Sequence, residues 1–477
     1  MLFNTLQYAL FLPIVVLLFW LSPQKFRLGI LLLASYIFYM SWRPIYVLLI
    51  LGLTLINYWF GIKIADSALA KKKWLTLAVT SNLSALAFFK YTFFLDQLLI
   101  DCLKPLHFQF PTVGFNIILP LGISFFVFEF IHYVVDIYRG HEPVRSLPGF
   151  ALFASFFPTQ IAGPIKRYQD FVPQFLKPSK WDLKSFDDGV LLIFQGLCKK
   201  ALFADNLALF VQGGFEHVGD FTGLDLWLFA YAFAFQIYFD FSGYTDVAQG
   251  SAMLFGYKVP MNFNLPYLAK NISDFWHRWH ISLSTWLRDY LFIPLGGSRC
   301  GRLKNHFNLL ATMTLGGLWH GAAMHYVAWG VFHGLMLIAH KEFQFLQAKL
   351  PLLASFFKSL PGRIFSMLLT FHVVCIGWVY FRAETFAAAN GMIAKMLGMN
   401  WVWQMNLPAI NFPLIYPSIY LVLPLLFAGH LLMGWLSGKD LFKNCPIPLK
   451  ASYCLMLVLL VMVFSPDKSP RFIYFQF

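Results

Sequence analysis

The chain has 477 residues, of which 59% are hydrophobic and only 12% charged, with a mean hydropathy of +0.63. So apolar a composition excludes a soluble globular protein of this length and indicates a polytopic membrane protein. Lys and Arg outnumber Asp and Glu by 36 to 22, a net charge of +14, but the excess sits between apolar runs, as the positive-inside rule describes, so no nucleic-acid partner is expected.

Apolar runs of about 20 residues, the length that crosses about 30 Å of hydrocarbon, recur from Leu6 to Phe464. Backbone groups in lipid must be paired within the segment, and no alternating barrel pattern occurs. The reading is therefore all-α, with roughly ten to twelve transmembrane or re-entrant helices. The first run lacks a basic leader and a small-residue cleavage site and is expected to be retained as a span. To about Arg139 the pattern is regular, with short polar turns such as Ser41-Trp42-Arg43-Pro44. Lys63, Lys71 to Lys73, Lys166-Arg167 with Lys177, Lys180 and Lys184, and Arg278 to Lys304 are expected in cytoplasmic loops. Glu216, Asp220 and Asp225 suit the opposite side, with both termini outside. Glu129, His132 and Asp136 share one helical face and read as a buried network that fixes packing.

From Gly140 to Asn305 the pattern loosens, broken by Pro158, Gly163-Pro164, Pro260, Pro266 and Pro294-Leu295-Gly296-Gly297. Unpaired backbone at membrane depth is tolerated only within protein or against a water-filled cavity, so a cavity is expected here. In Tyr238 to Asp246 two carboxylates, Asp240 and Asp246, sit among hydroxyls, with Gln236 four residues before Asp240. They read as supporting residues.

Ser273 can cap a helix beginning at Asp274, with Asp274 and Arg278 spaced for an ion pair. His277, His280, Ser284 and Arg288 then fall along one side, while Trp276, Trp279 and Trp286 supply rings suited to a membrane interface. An anchoring helix and a catalytic one fit this pattern equally. Arg278 and Arg288, with Arg299, Arg302 and Lys304, could hold the phosphates of an acyl donor or simply follow the positive-inside rule. His320 lies between Gly317 and Gly321, beside Trp319, deep in an apolar segment. The glycines suit close helix packing, and the histidine is favoured as catalytic, able to take a proton near pH 7. His306, His325, His333 and His340 are expected to be satisfied helix residues. No metal site is expected, because His320 and His325 lie off a shared face and no H-E-x-x-H occurs. The six cysteines are scattered without a C-x-x-C pair. Without repeat or hydrophilic insertion, residues 1–477 read as a single membrane-embedded domain. By composition the aromatic tail Arg471 to Phe477 fits an interface anchor and a segment docking in a partner's groove equally.

Phe275 to Ser284, Asp289-Tyr290-Leu291, Pro294 to Gly297 and Gly317-Leu318-Trp319-His320-Gly321 resemble motifs of the membrane-bound O-acyltransferase (MBOAT) family. Phe239 to Asp246, Ala162-Gly163-Pro164-Ile165 and the chain end resemble its bacterial alginate O-acetyltransferase branch, with relatives in peptidoglycan and cellulose acetylation. The resemblance implies tilted helices around a central tunnel, where acetyl-coenzyme A enters from the cytoplasm as donor substrate and no cofactor is bound. It implies that His320 is the catalytic histidine and His280 the second active-site position, with His277, Trp279, Ser284 and Trp319 supporting. It further implies a multi-pass protein of the bacterial inner membrane, an extracytoplasmic polysaccharide as acceptor, alginate-like in kind, and a separate SGNH-type transferase partner. For the tail it implies the docking role, with Arg471 to Phe477 projecting outward. A proton-coupled transporter or flippase, or a non-catalytic scaffold, are the rival readings from composition.

Overall fold

The structure, a computed structural model, describes residues 1–106, 117–398, 418–436, 445–466, 470 and 472–473. Among these residues the secondary structure is helical and no strand occurs. Among the described residues five helices are long and apolar enough to cross a membrane alone: Tyr46–Asp66, Lys71–Leu103, Leu360–Arg382, Ile419–Leu436 and Ile447–Phe464. The remaining helices are shorter or more polar, and Leu6–Leu21 is the shorter apolar one. Lys71, Lys72 and Lys73, expected in a loop, instead form the first turn of their helix. Lysine is a good helix former whose long stem can carry its charge to water from a helix end. Likewise Arg302 to Lys304 open a helix, and Arg302 pairs with Glu342.

The backbone contacts divide the chain into two compact units, Met1–Ile193 with Thr245–Pro260, and Phe194–Tyr244 with Met261–Phe477. In the first, Ile123–Tyr138 is buried along almost its whole length. Its Glu129 accepts from Lys166 Nζ at 2.8 Å and from the Lys166 backbone N–H at 3.2 Å, and the same ammonium donates to Thr159 Oγ1 at 2.8 Å. This satisfies two charges that would be costly in the core if single. Asp136 accepts from Gln169 at 2.7 Å and from Arg139 at 3.4 Å. Glu129 and Asp136 on this face thus have separate partners. Phe156 to Lys166 is irregular backbone yet entirely buried in protein, the setting in which irregular backbone is tolerated in a membrane protein. Tyr8 and Ser251 hydroxyls lie 2.8 Å apart, and Trp20 donates to Leu254 O at 2.9 Å, tying residues 245–260 to Leu6–Leu21.

The second unit holds most of the polar motifs. Its relevant helices are α1 (Gly223–Met253, to Tyr244), α2 (Ile272–Arg278), α3 (Ile281–Leu287), α4 (Arg302–His320), α5 (Met324–Lys349) and α6 (Leu360–Arg382). Small residues let α4 and α5 approach to backbone contact. A Cβ on Gly317 would sit 2.2 Å from Tyr326 O, and one on Gly330 would sit 2.3 Å from Met313 O. This is the packing role expected of small residues in membrane helices.

Candidate active site

The first correction to the sequence reading concerns where the Trp-His-Arg-Trp-His helix begins and ends. Asn271, not Ser273, caps it: Asn271 Oδ1 accepts from Asp274 N–H at 2.8 Å. Asn is as good a cap as Ser, and sequence spacing alone does not choose between two candidates two residues apart. The helix then stops at Arg278. His280 adopts φ 42° and ψ 55°, the left-handed region that a side chain with a Cβ seldom visits, and α3 starts after it. Asn262 holds this turn, its carbonyl accepting from Ile281 N–H at 3.0 Å and its Oδ1 from Ser282 N–H at 3.1 Å. Asn264 N–H donates to Arg278 O at 2.9 Å just upstream. Such strain persists only where the surroundings over-determine it, and it concentrates at functional sites.

The reversal separates residues that one continuous helix would have aligned. His277 is exposed and lines a cavity of about 200 Å³ with Ser273, Trp276, Ser284 and Arg288. His280 is fully buried and does not line it. Its ring lies 4.7 Å from Phe241 and 6.2 Å from Trp319, both edge-on. The three tryptophans expected at the membrane interface are also buried in protein. Trp276 meets Trp329 at 5.6 Å, Trp279 packs 4.7 Å from Trp378, and Trp286 packs 5.3 Å from Tyr290. Their large apolar area is better hidden in the core than spread at an interface, a choice that composition cannot reveal.

His320 is the last residue of α4, 6% exposed, and the backbone turns extended at Gly321. A Cβ at Gly321 would collide with the Tyr326 ring at 2.0 Å, so glycine is required for the chain to leave the helix here. The imidazole is walled by Trp319 at 4.9 Å, Trp329 at 5.0 Å and Phe381 at 5.2 Å. Trp319 therefore touches the rings of both His280 and His320.

Among the proposed donor contacts, Arg278 pairs with Asp274 at 2.8 Å and donates to Asn264 O at 3.2 Å, as the spacing predicts. Arg288 reaches the cavity, paired at 2.8 Å with Asp289, whose carboxylate holds the guanidinium more basic than usual. Ser284 donates to Trp279 O at 3.2 Å, which helps fix the turn before α3. Asp240 and Asp246, read as one cluster, belong to different units, and six residues of helix turn their side chains to different faces. Asp240 instead meets Lys200 at 2.7 Å. Lys200 and Asn262 escaped the sequence reading: the first lies in no motif, and the second in a stretch read only as a break.

Of the remaining histidines, His306 pairs with Glu342 at 2.8 Å, and His325 Nδ1 lies 3.0 Å from Tyr380 O. His333 departs from expectation. Among the described residues its ring nitrogens have no hydrogen-bond partner, and it is packed by Trp329 at 4.8 Å and Trp276 at 5.2 Å. Aromatic faces take the edge of a neutral imidazole and replace the polar partner that was expected. His340 Nε2 likewise has none among these residues. No cluster of three or more metal-ligating side chains occurs among the described residues.

The membrane-bound O-acyltransferase family profile matches residues 31–383. The chain is 37% identical over 499 residues to a Pseudomonas putida protein named probable alginate O-acetylase AlgI, covering 98% of both chains. Its counterpart of that name in Pseudomonas syringae pv. tomato is 41% identical over 401 residues, 83% of this chain and 75% of the relative. A Helicobacter pylori peptidoglycan O-acetyltransferase is 37% identical over 402 residues, 78% of this chain and 74% of that protein. The match and these identities, on an apolar helical scaffold, show that the chain belongs to the membrane-bound O-acyltransferase family as a multi-pass membrane acyltransferase.

Proposed function

We propose that this protein transfers acetyl from cytoplasmic acetyl-coenzyme A to an acceptor at the outer face of a bacterial inner membrane, for O-acetylation of an alginate-like polysaccharide. The observation that carries the reading is the convergence of His320 and His280 on Trp319 within a dry aromatic wall. His320, at the C-terminal end of α4, acts as general base: it takes the proton of the attacking hydroxyl as the new C–O bond forms. The thioester C–S bond then breaks, and the same proton passes to the departing thiolate. His280, held by its strained turn, orients the donor or polarises its carbonyl. The cavity beside His277, Ser284 and Arg288 receives part of the donor. Its volume of about 200 Å³ is below the roughly 300–1,000 Å³ usual for a whole small-molecule site.

The names of the relatives support an extracytoplasmic acceptor: alginate for two of them and peptidoglycan for the third. Delivery to a polymer chain would fall to a separate SGNH-type transferase, and residues 1–477 act as one acyltransferase domain. The test is incubation of the purified protein with radiolabelled acetyl-coenzyme A. The expected result is release of coenzyme A with label moved to acceptor or water, abolished in His320→Ala. Intact acetyl-coenzyme A with both proteins would refute the donor assignment.

A further inference from the structure

The second unit buries one ionic cluster that the acid–base chemistry above does not use. Lys200 Nζ lies 2.7 Å from Asp205 Oδ1 and 2.7 Å from Asp240 Oδ1, and none of the three side chains is more than 11% exposed. Buried ion groups are not in general more stable than well-packed apolar replacements, so stability is weak grounds for keeping one. What distinguishes this cluster is its reach. The Lys200 ammonium also donates to Pro470 O at 3.3 Å, and Asp240 Oδ2 accepts from Ile473 N–H at 2.7 Å. A carboxylate accepting a backbone N–H makes a charge-assisted bond, stronger than a neutral one. The cluster thus grips the chain end at two backbone groups three residues apart.

Phe472, one of the two residues between those grips, is buried, as is Ile473. The Phe472 ring stacks 4.7 Å from Tyr244 and lies 6.2 Å from Phe241, and Phe241 in turn meets the His280 imidazole at 4.7 Å. Asp240 and Phe241 are neighbours on α1, so one stretch of helix holds both the clamp and the ring against His280. Phe472 and Ile473 therefore do not project outward as the resemblance of the chain end implied. Arg471 and Tyr474 to Phe477 lie outside the described residues.

We propose that Asp240 and Lys200 are positioning residues. They clamp Pro470 and Ile473 onto the core, and Phe472 beside them fixes Phe241 and so the ring of His280 for transfer. The proposal rests on the reading of His280 as part of the transfer site. Removing Asp240 would strand the Lys200 cation and endanger folding, so the discriminating variant is Ile473→Pro, which deletes the N–H and leaves the ionic cluster intact. Ile473→Ala keeps the N–H and controls for the lost side chain.

With full-length protein in lipid nanodiscs, Ile473→Pro is expected to lower kcat for acetyl-coenzyme A turnover about tenfold, with KM within about twofold and a melting temperature close to that of Ile473→Ala. Ile473→Ala should keep most of kcat. Hydrogen exchange read by mass spectrometry gives a measure independent of activity. The Ile473 amide should be protected in the wild type and exchange at least about 100-fold faster in Asp240→Asn. Equal loss in the Pro and Ala variants, wild-type kcat in Ile473→Pro, or an unprotected Ile473 amide in the wild type would each overturn the clamp. A wild type silent toward acetyl-coenzyme A would refute the acetyl-transfer reading, and the exchange experiment would still decide the clamp.

Discussion

Gly316 and Gly317 are adjacent on α4, yet the structure assigns them different tolerances, and the difference bears on His320 three residues later. A methyl at Gly317 would lie 2.2 Å from Tyr326 O and 3.0 Å from both Gly330 Cα and N, all backbone atoms of α5 that cannot rotate away. Restoring an ordinary contact of 3.4 Å or more requires α4 to retreat by about 1 Å. Overpacking of that kind costs about 1–3 kcal/mol. The catalytic effect should be larger, because moving a reacting group by about 1 Å can lower the rate about 100-fold. A methyl at Gly316 would meet only the Leu287 side chain, 3.1 Å from Cδ1, which can turn aside. Gly317→Ala should therefore lose most acetyl-coenzyme A turnover and melt earlier, while Gly316→Ala stays within about threefold of wild type, a barrier change below about 1 kcal/mol. Turnover and thermal unfolding of the two purified variants, measured side by side, check this. Two alanine variants that behave alike, both active, would refute the claim that α4 and α5 are in backbone contact at Gly317.

His320→Ala should abolish acetyl transfer while membrane insertion and melting temperature stay near wild type, because the glycines of that segment and not the imidazole make the helix contact. His280→Ala should lose a comparable amount and His277→Ala much less, since the first ring is buried beside Trp319 and the second is exposed; the reverse order in turnover would contradict the assignment. Arg288→Ala should raise KM for acetyl-coenzyme A about tenfold, roughly 1.4 kcal/mol of binding, with kcat little changed in steady-state kinetics. Lys166→Met should destabilise the protein by about 3–5 kcal/mol by stranding Glu129, and adding Glu129→Leu should recover most of the lost melting temperature.

The helical membrane architecture was legible because lipid leaves the backbone few alternatives, so hydropathy alone carries the fold class. The Asp274–Arg278 pair and the close packing at Gly317 were legible for a similar reason: both are local consequences of helical spacing. What could not be read was the break at His280. The pattern from Asp274 to Arg288 is consistent with one helix, and nothing local forbids it. The turn exists because Asn262, distant in sequence, offers both a carbonyl and a side-chain oxygen to the amides after His280. A tertiary partner thus overrides helical propensity at one residue, and that residue is a candidate for chemistry. Sequence-level rules are expected to fail at such sites.

The same contrast sorts the buried polar groups by role. Glu129 and Asp240 were equally conspicuous in the sequence, and each meets a lysine that neutralises it, Lys166 for one and Lys200 for the other. Histidine differs in kind, because a neutral imidazole can be buried among aromatic rings without a counter-ion and can still take a proton when a substrate hydroxyl supplies one. His280, His320 and His333 all have aromatic neighbours, so burial does not distinguish the two proposed for transfer. His333 sits mid-helix on α5, packed by Trp276 and Trp329 and close to Gly377, where a Cβ would lie 2.7 Å from its Nε2. His280 and His320 instead occupy chain breaks: a left-handed turn in one case and a helix end that only glycine can follow in the other. At a break the side chain is aimed by backbone geometry, and that aim is what a transfer reaction needs from a general base and its partner.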